Sequence, residues 1–167
     1  LVYGPGWTNL GGLGSGEMLI DFLGLPLEGG AEEIRRWLPH EVAHIIHSNR
    51  EGDNDDGTLL SAIISEGFAS YFTDQYWGES MNSAEALGYS EEEWVWAVQN
   101  ERELWSDASK QLDTRDSEAI LPYRSRSHRV RPDAPTAVGY FLGYRIAEAY
   151  VAQNGEGSYY EIFDLPA

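Results

Sequence analysis

Apolar residues recur at helical spacing along most of the chain after residue 30. The first such segment begins at Ala31, where apolar positions fall three or four residues apart, as on one face of a helix. These positions are Ile34, Trp37, Leu38, Val42, Ile45 and Ile46. Pro39 lies inside the segment, so either the helix kinks there or a new helix starts with Pro39 in its first turn. A second long helix is predicted from about Thr58 to Trp77, after a polar turn at residues 50–57.

The pattern predicts two further helices separated by loops. One starts at Glu91, where acidic residues favour a helix N-terminus, and runs to about Leu112. The last covers about Thr136 to Gln153 and is predicted to end at Asn154–Gly155. Residues 78–90 are predicted as loop, and residues 113–135 as a long polar loop, because they carry three prolines.

The glycine-rich first 30 residues predict one or two short strands, around Leu1–Tyr3 and Met18–Leu23. We therefore expect a mainly α (α+β) fold with a small N-terminal β element. The hydrophobic content of 42% argues against disorder and predicts a single domain over residues 1–167. Because the first residue is Leu1 rather than Met, we expect the native N-terminus to lie upstream.

Composition excludes several classes of function. The chain has 28 acidic residues against ten arginines and one lysine, giving a net charge of −17. Such a body repels nucleic acid and anionic lipid, so neither is an expected partner. The absence of cysteine excludes disulfides, thiolate metal sites and cysteine nucleophiles. No apolar run is long enough for membrane insertion, so we expect a soluble protein whose compartment and oligomeric state the sequence does not indicate.

The segment His40-Glu41-Val42-Ala43-His44 is an HExxH motif. Two histidines four residues apart share a helix face and can direct ring nitrogens at one zinc ion. Glu41 lies roughly 100° around the helix from His40, near the metal without needing to bind it, and can accept a proton from a metal-bound water. The alternative is an ordinary amphipathic helix that exposes these polar side chains to water.

A catalytic zinc site usually has three protein ligands and a water, so a third ligand is needed. His47 lies about 10 Å along the helix axis from His40, too far for both to reach one ion. We therefore expect His47 to have a supporting or surface role. The metzincin motif requires a glycine at position 47 and a histidine at position 50. The chain has His47 and Arg50 there, which excludes that class.

Glu66, in the second helix, is the better third ligand. Its helical neighbours are mostly small or apolar: Ala62, Ile63, Ala69 and Ser70. An unpaired buried carboxylate is costly, so Glu66 should be neutral, paired or bound to metal. Small neighbours and Gly67 would let the two helices approach closely. We prefer the metal ligand, with a salt bridge to an arginine as the alternative.

Glu66 follows His44 by 22 residues, which is the gluzincin pattern of antiparallel helices that deliver two histidines and one glutamate. Three segments, HEVAH, LLSAIISEGFASYF and VGYFLGYRIAEAY, together resemble a bacterial domain-of-unknown-function family described as predicted zinc-dependent proteases. The resemblance covers roughly residues 15–152. It implies a zincin-like fold and a zinc-dependent activity.

Residue by residue, the resemblance implies one Zn²⁺ ion bound by His40, His44 and Glu66. It implies Glu41 as the general base. One departure is Ser70, because gluzincins often carry at this position an aspartate that supports a histidine. Ser70 itself or Asp74 would then provide that support.

Peptide hydrolysis also needs a donor for the developing oxyanion. Tyr140 is our first choice and Tyr144 the second, since both lie on one face of the last helix. The alternative is that these tyrosines only pack, with their hydroxyls at the surface. Gly139 and Gly143 beside them indicate close packing of that helix, because interior glycines otherwise cost about 1 kcal/mol each.

His128, in the predicted long loop, is a third candidate donor. It lies within RSRSHRVR (Arg124–Arg131), a local positive segment on an acidic protein. This segment is either a substrate-binding loop or an internal salt-bridge partner for acidic helices. Arg145 would contact a substrate carboxylate or pair with an acidic neighbour, and the second role is commoner.

The sequence thus predicts a zinc-dependent metallopeptidase of gluzincin type, acting on a peptide or protein substrate. Zinc would activate a water molecule, Glu41 would accept its proton and a tyrosine would stabilise the oxyanion. The alternative is a non-catalytic zinc-binding or interaction domain with a zincin fold. Hydrolysis of a non-peptide amide is a third possibility that the motif does not distinguish.

Overall fold

The protein is seen in a computed structural model that describes residues 10–13, 17–20, 30–51 and 56–164, with side chains described for residues 34–47 and 56–161. Within these residues the fold is mainly helical, as predicted. The helices are α1 (Gly30–Glu51), α2 (Leu59–Trp77), α3 (Ser83–Ala86), α4 (Glu91–Gln99), α5 (Glu101–Ala108), α6 (Ser117–Arg124) and α7 (Val138–Asn154). Short 3₁₀ segments cover Gly78–Ser80 and Glu156–Asp164.

Two short strands, β1 (Leu10–Leu13) and β2 (Glu17–Ile20), form an antiparallel pair in which Leu10 lies opposite Ile20. This pair is the predicted N-terminal β element. The strand β2 overlaps the strand predicted around Met18–Leu23. The other predicted strand, Leu1–Tyr3, lies outside the described residues.

Helix α1 runs through Pro39 without a break, so the proline neither starts a new helix nor ends this one. Proline removes one N–H donor from the helical hydrogen bonds, and the rest of the 22-residue helix tolerates that loss. Helix α2 begins at Leu59, as the pattern predicted. The Thr58 hydroxyl caps it by accepting a hydrogen bond from the backbone N–H of Ser61 at 3.1 Å.

The core forms where α2 packs against α7. Leu59 and Ile63 of α2 and Phe141 and Leu142 of α7 are almost completely buried there. A Cβ atom built on Gly143 would lie 1.9 Å from the Ile63 carbonyl oxygen, so the two backbones are in direct contact.

Gly67 belongs to the same crossing, since its own Cβ would lie 2.1 Å from the backbone of Gly143. We expected Gly67 to bring α2 close to the histidine helix. Instead it brings α2 close to α7.

Three predictions about the middle of the chain are wrong. Residues 78–90, predicted as a loop, contain the short helix α3, which the Asn82 side chain caps by accepting a hydrogen bond from the backbone N–H of Glu85 at 2.9 Å. The helix predicted over 91–112 is divided at Asn100, whose backbone leaves the helical region between α4 and α5. The segment 113–135, predicted as a loop, contains α6. Asp116 caps that helix by accepting a hydrogen bond from the backbone N–H of Glu118 at 3.0 Å, and Pro122 lies within it. Among the described helices, none combines the length and apolar character needed to cross a membrane.

Candidate metal centre

Helices α1 and α2 bring His40, His44 and Glu66 together. The His40 Nε2 atom lies 3.2 Å from Glu66 Oε2, and the His44 Nε2 atom lies 3.4 Å from the same oxygen. The two Nε2 atoms are 3.1 Å apart. Within the described part of the chain, this is the group of histidine and carboxylate side chains placed to hold a metal ion.

The spacing of these donor atoms suits zinc. Bonds from zinc to imidazole nitrogen and carboxylate oxygen are about 2.0–2.2 Å long, so the ligand atoms of a tetrahedral ion lie roughly 3.3–3.5 Å apart. The triangle of 3.1, 3.2 and 3.4 Å is close to that spacing. Three atoms with lone pairs that converge in this way repel one another unless a cation, either a proton or a metal ion, lies between them.

Burial and mutual contact shift the pKa values of the three groups. Burial lowers the pKa of His40, and this effect outweighs its hydrogen bond with Glu66. Burial also acts to lower the pKa of His44, but the hydrogen bond to Glu66 and the charges of Glu66 and Glu41 raise it overall. Burial would raise the pKa of Glu66, yet its hydrogen bonds to both histidines hold that pKa well below the usual range. Glu66 is therefore a carboxylate, the form that binds metal.

Ser65 supports one of the histidines, and the sequence interpretation missed it. Its hydroxyl oxygen lies 3.2 Å from His44 Nδ1. When Nδ1–H donates to this oxygen, Nε2 keeps its lone pair for a metal. The residues that we expected in this role are placed elsewhere: Ser70 donates to the backbone carbonyl of Glu66 at 2.8 Å, and Asp74 accepts from Tyr144. No pattern in the sequence indicates Ser65, because its contact with His44 depends on how α1 and α2 pack.

Arg124, at the end of α6, binds the other oxygen of Glu66. Its Nε atom donates to Oε1 at 3.1 Å, whereas both histidines contact Oε2. Glu66 thus makes the arginine salt bridge that the sequence left as the alternative to a metal ligand, and it contacts both histidines as well. At the other end of the positive segment Arg124–Arg131, Arg131 lies 2.8 Å from Glu103, so the segment does pair internally.

Tyr140 lies beside the histidines. Its ring stacks almost parallel on His40, with the centroids 5.8 Å apart. On the same tyrosine ring lies the guanidinium of Arg126, 4.5 Å from the centroid. Burial raises the pKa of Tyr140 above its ordinary value, and the negative charge of Glu66 raises it further. The hydroxyl therefore stays protonated and can act as a donor.

The other two candidate donors are not placed at the cluster. The Tyr144 hydroxyl donates to Asp74 and lies 3.0 Å from the Ser83 hydroxyl, so it joins α7 to α2 and α3. His128 is exposed, and its Nδ1 atom lies 3.1 Å from the hydroxyl of Ser125.

His47 and Arg145 also lie apart from the three donors. The His47 ring is 6.5 Å from that of Phe68, and His47 does not belong to the metal-competent group. Arg145 pairs with acidic neighbours, at 3.1 Å with Glu101 and also with Glu148, which is the commoner of the two roles considered for it.

Residues 35–166, more than half of the chain, match the sequence model of a family described as gliding motility protein GldB. The chain belongs to this family. No curated protein and no solved structure matches it significantly.

The family match overturns two sequence predictions. The chain resembled a family of predicted zinc-dependent proteases, but the family that it matches is one of gliding motility proteins. The assignment as a zinc metallopeptidase of gluzincin type, with its peptide substrate, is wrong for the same reason. The short segments behind it specify a helix pair that brings two histidines and a glutamate together, and such a pair is not restricted to proteases.

Proposed function

We propose that this member of the GldB family is a zinc-binding helical domain of a gliding motility protein. The observation that carries the proposal is the triangle of His40 Nε2, His44 Nε2 and Glu66 Oε2, with sides of 3.1 to 3.4 Å. Ser65 on His44 and Arg124 on the second oxygen of Glu66 hold two of the donors in orientation. Nitrogen and oxygen donors in this number favour zinc over calcium or magnesium, which take oxygen ligands.

A zincin-like arrangement of α1 and α2 is part of the same proposal. The Trp77 indole donates to the backbone carbonyl of Arg36 at 3.4 Å, and the rings of His47 and Phe68 lie 6.5 Å apart. Later positions of α1 thus meet earlier positions of α2. This order supports an antiparallel pair with the donors near its middle.

Zinc binding is tested on the purified chain. We expect about one zinc ion per chain after dialysis against zinc and removal of the excess, measured by elemental analysis. His40→Ala and His44→Ala are each expected to weaken binding about 100-fold or more, since changes in the outer sphere of zinc sites alone cost 10- to 100-fold. His47→Ala, the matched control on the same helix, should keep wild-type affinity.

Two results would contradict this proposal. A zinc-free wild-type chain under metal-replete conditions would exclude the site. If His47→Ala and His44→Ala lost zinc affinity equally, the loss would reflect a less stable α1 rather than a missing zinc ligand.

The prediction that the chain is an enzyme stays a prediction, and we propose hydrolysis of a non-peptide substrate as a second candidate function. Glu41 favours it. This carboxylate is half-buried and lies close to His44. Burial lowers the pKa of His44, but the negative charges of Glu66 and Glu41 raise it overall. A bound zinc ion would supply Lewis-acid chemistry at the site. Glu41 would accept a proton there, and the Tyr140 hydroxyl would donate a hydrogen bond to the substrate.

Glu41→Gln separates this second function from metal binding. Nitrophenyl esters and phosphodiesters serve as substrates for the zinc-loaded protein. We expect the variant to keep its zinc and to lose about 100-fold or more of the hydrolysis rate, the usual contribution of a general base. Glu79→Gln, at an exposed position, is the control. Hydrolysis that is equally fast in Glu41→Gln, or absent from the zinc-loaded wild type, would limit the site to binding.

A further inference from the structure

Two arginines from the end of α6 and the residues after it lie against the metal centre. Arg124 contacts Glu66 through Nε, and Arg126 lies over the ring of Tyr140, which itself stacks on His40. A backbone contact fixes Arg126, whose Nη1 atom donates to the Leu87 carbonyl at 2.7 Å. The two cations are therefore built into the surroundings of the site.

Solvent reaches both arginines. The Arg124 side chain is 60% exposed although its partner Glu66 is buried, and Arg126 is also exposed. Arg124 thus connects the buried donor triangle to the surface. A ligand that approaches the metal centre on this side meets a guanidinium group first.

The charges around the site do not balance once a divalent ion is bound. The metal ion and the two guanidinium groups outweigh the carboxylates of Glu66 and Glu41, and both histidines are then neutral ligands. This excess of positive charge lies on a protein whose net charge is −17. A local field of opposite sign to the rest of the surface concentrates anions at that point.

We infer that the metal centre binds an oxyanion, a carboxylate or phosphate group, which contacts Arg124. The inference rests on the proposed zinc site and adds the chemical class of its ligand. Arg124 presents planar N–H donors that match oxyanions. Tyr140, whose ring lies between His40 and Arg126, adds a hydroxyl group to the same side of the site.

The test uses the whole chain loaded with Co²⁺, whose visible spectrum responds to changes in its coordination. Acetate and inorganic phosphate are titrated separately, and acetamide serves as a neutral molecule of the same shape as acetate. We expect saturable spectral changes with at least one of the two anions and none with acetamide. Comparison of acetate with phosphate shows which oxyanion the site prefers.

Arg124→Gln is expected to weaken anion binding about ten- to a hundredfold at saturating Co²⁺, because it removes charge-assisted hydrogen bonds. Arg102→Gln, at an exposed position of α5, removes the same charge from the protein and should change nothing. If the chain binds one equivalent of Co²⁺ but its spectrum responds to neither anion, this inference is wrong and the zinc site is unaffected. The same conclusion follows if Arg124→Gln binds the anion as tightly as the wild type. A chain that binds no Co²⁺ overturns both proposals.

Discussion

Replacement of Gly143 with alanine is expected to destabilise the fold by about 3 kcal/mol, the upper end of the usual cost of overpacking. The added Cβ would lie 1.9 Å from the carbonyl oxygen of Ile63 and 2.8 Å from the Cα atom of Gly67. Both contacts are with backbone atoms, which cannot rotate away as a side chain can. Helices α2 and α7 would have to separate, and the core between them would open.

The direction of this effect is informative because alanine normally stabilises the interior of a helix relative to glycine, by about 1 kcal/mol. Thermal unfolding should show a midpoint lower by roughly 6–12 °C, given about 2–4 °C per kcal/mol in a chain of this size. Gly157→Ala is the control, since nothing lies within 4 Å of its added Cβ. A midpoint for Gly143→Ala at or above that of the wild type would mean that the helices do not cross this closely.

The helices that sequence reasoning located correctly are those whose apolar spacing is uninterrupted. Spacing shows which face of a helix is buried but not which element covers it, so Gly67 was assigned to the wrong helix pair. Helix α6 was missed because its proline was taken as a loop signal. A proline is compatible with a short helix when a side chain such as that of Asp116 caps the N-terminus.

The same limit applies to the candidate metal centre. His40 and His44 follow from spacing on a single helix, and Glu66 follows from the cost of a buried carboxylate. Ser65 and Arg124 depend on how α1, α2 and α6 meet in space, and no spacing along the chain encodes that. Arg124 is 58 residues from Glu66, beyond the reach of any helical periodicity.

The function of the protein was harder to predict from the sequence than its fold or its candidate site. The segments that resembled a protease family consist of the side chains of the candidate metal centre and of small and apolar residues that pack helices. Those requirements are the same for any protein that holds a metal between two helices, whatever its biological role. The match over residues 35–166 uses a far longer part of the chain and therefore decides the family.

Replacement of Glu66 with glutamine is expected to lower zinc affinity about 1000-fold, because loss of a direct ligand should exceed the 10- to 100-fold cost of outer-sphere changes. Glutamine keeps the shape of the side chain but removes the negative charge at Oε2, which both histidines contact and which a zinc ion would bind. Competition with a chromophoric chelator would measure the affinity. Glu79→Gln is the charge-matched control at an exposed position.

The stability of the same variant distinguishes a metal ligand from a salt-bridge partner. If Glu66 binds zinc, saturating zinc should stabilise the wild type by about 4 kcal/mol at 1000 times Kd and should stabilise Glu66→Gln hardly at all. If Glu66 serves only to pair with Arg124, the substitution would cost the same stability with and without zinc. The exposed Arg124 side chain can then be solvated by water, so its share of that cost is small. A zinc-dependent difference between wild type and variant is therefore the result that assigns Glu66 to the metal.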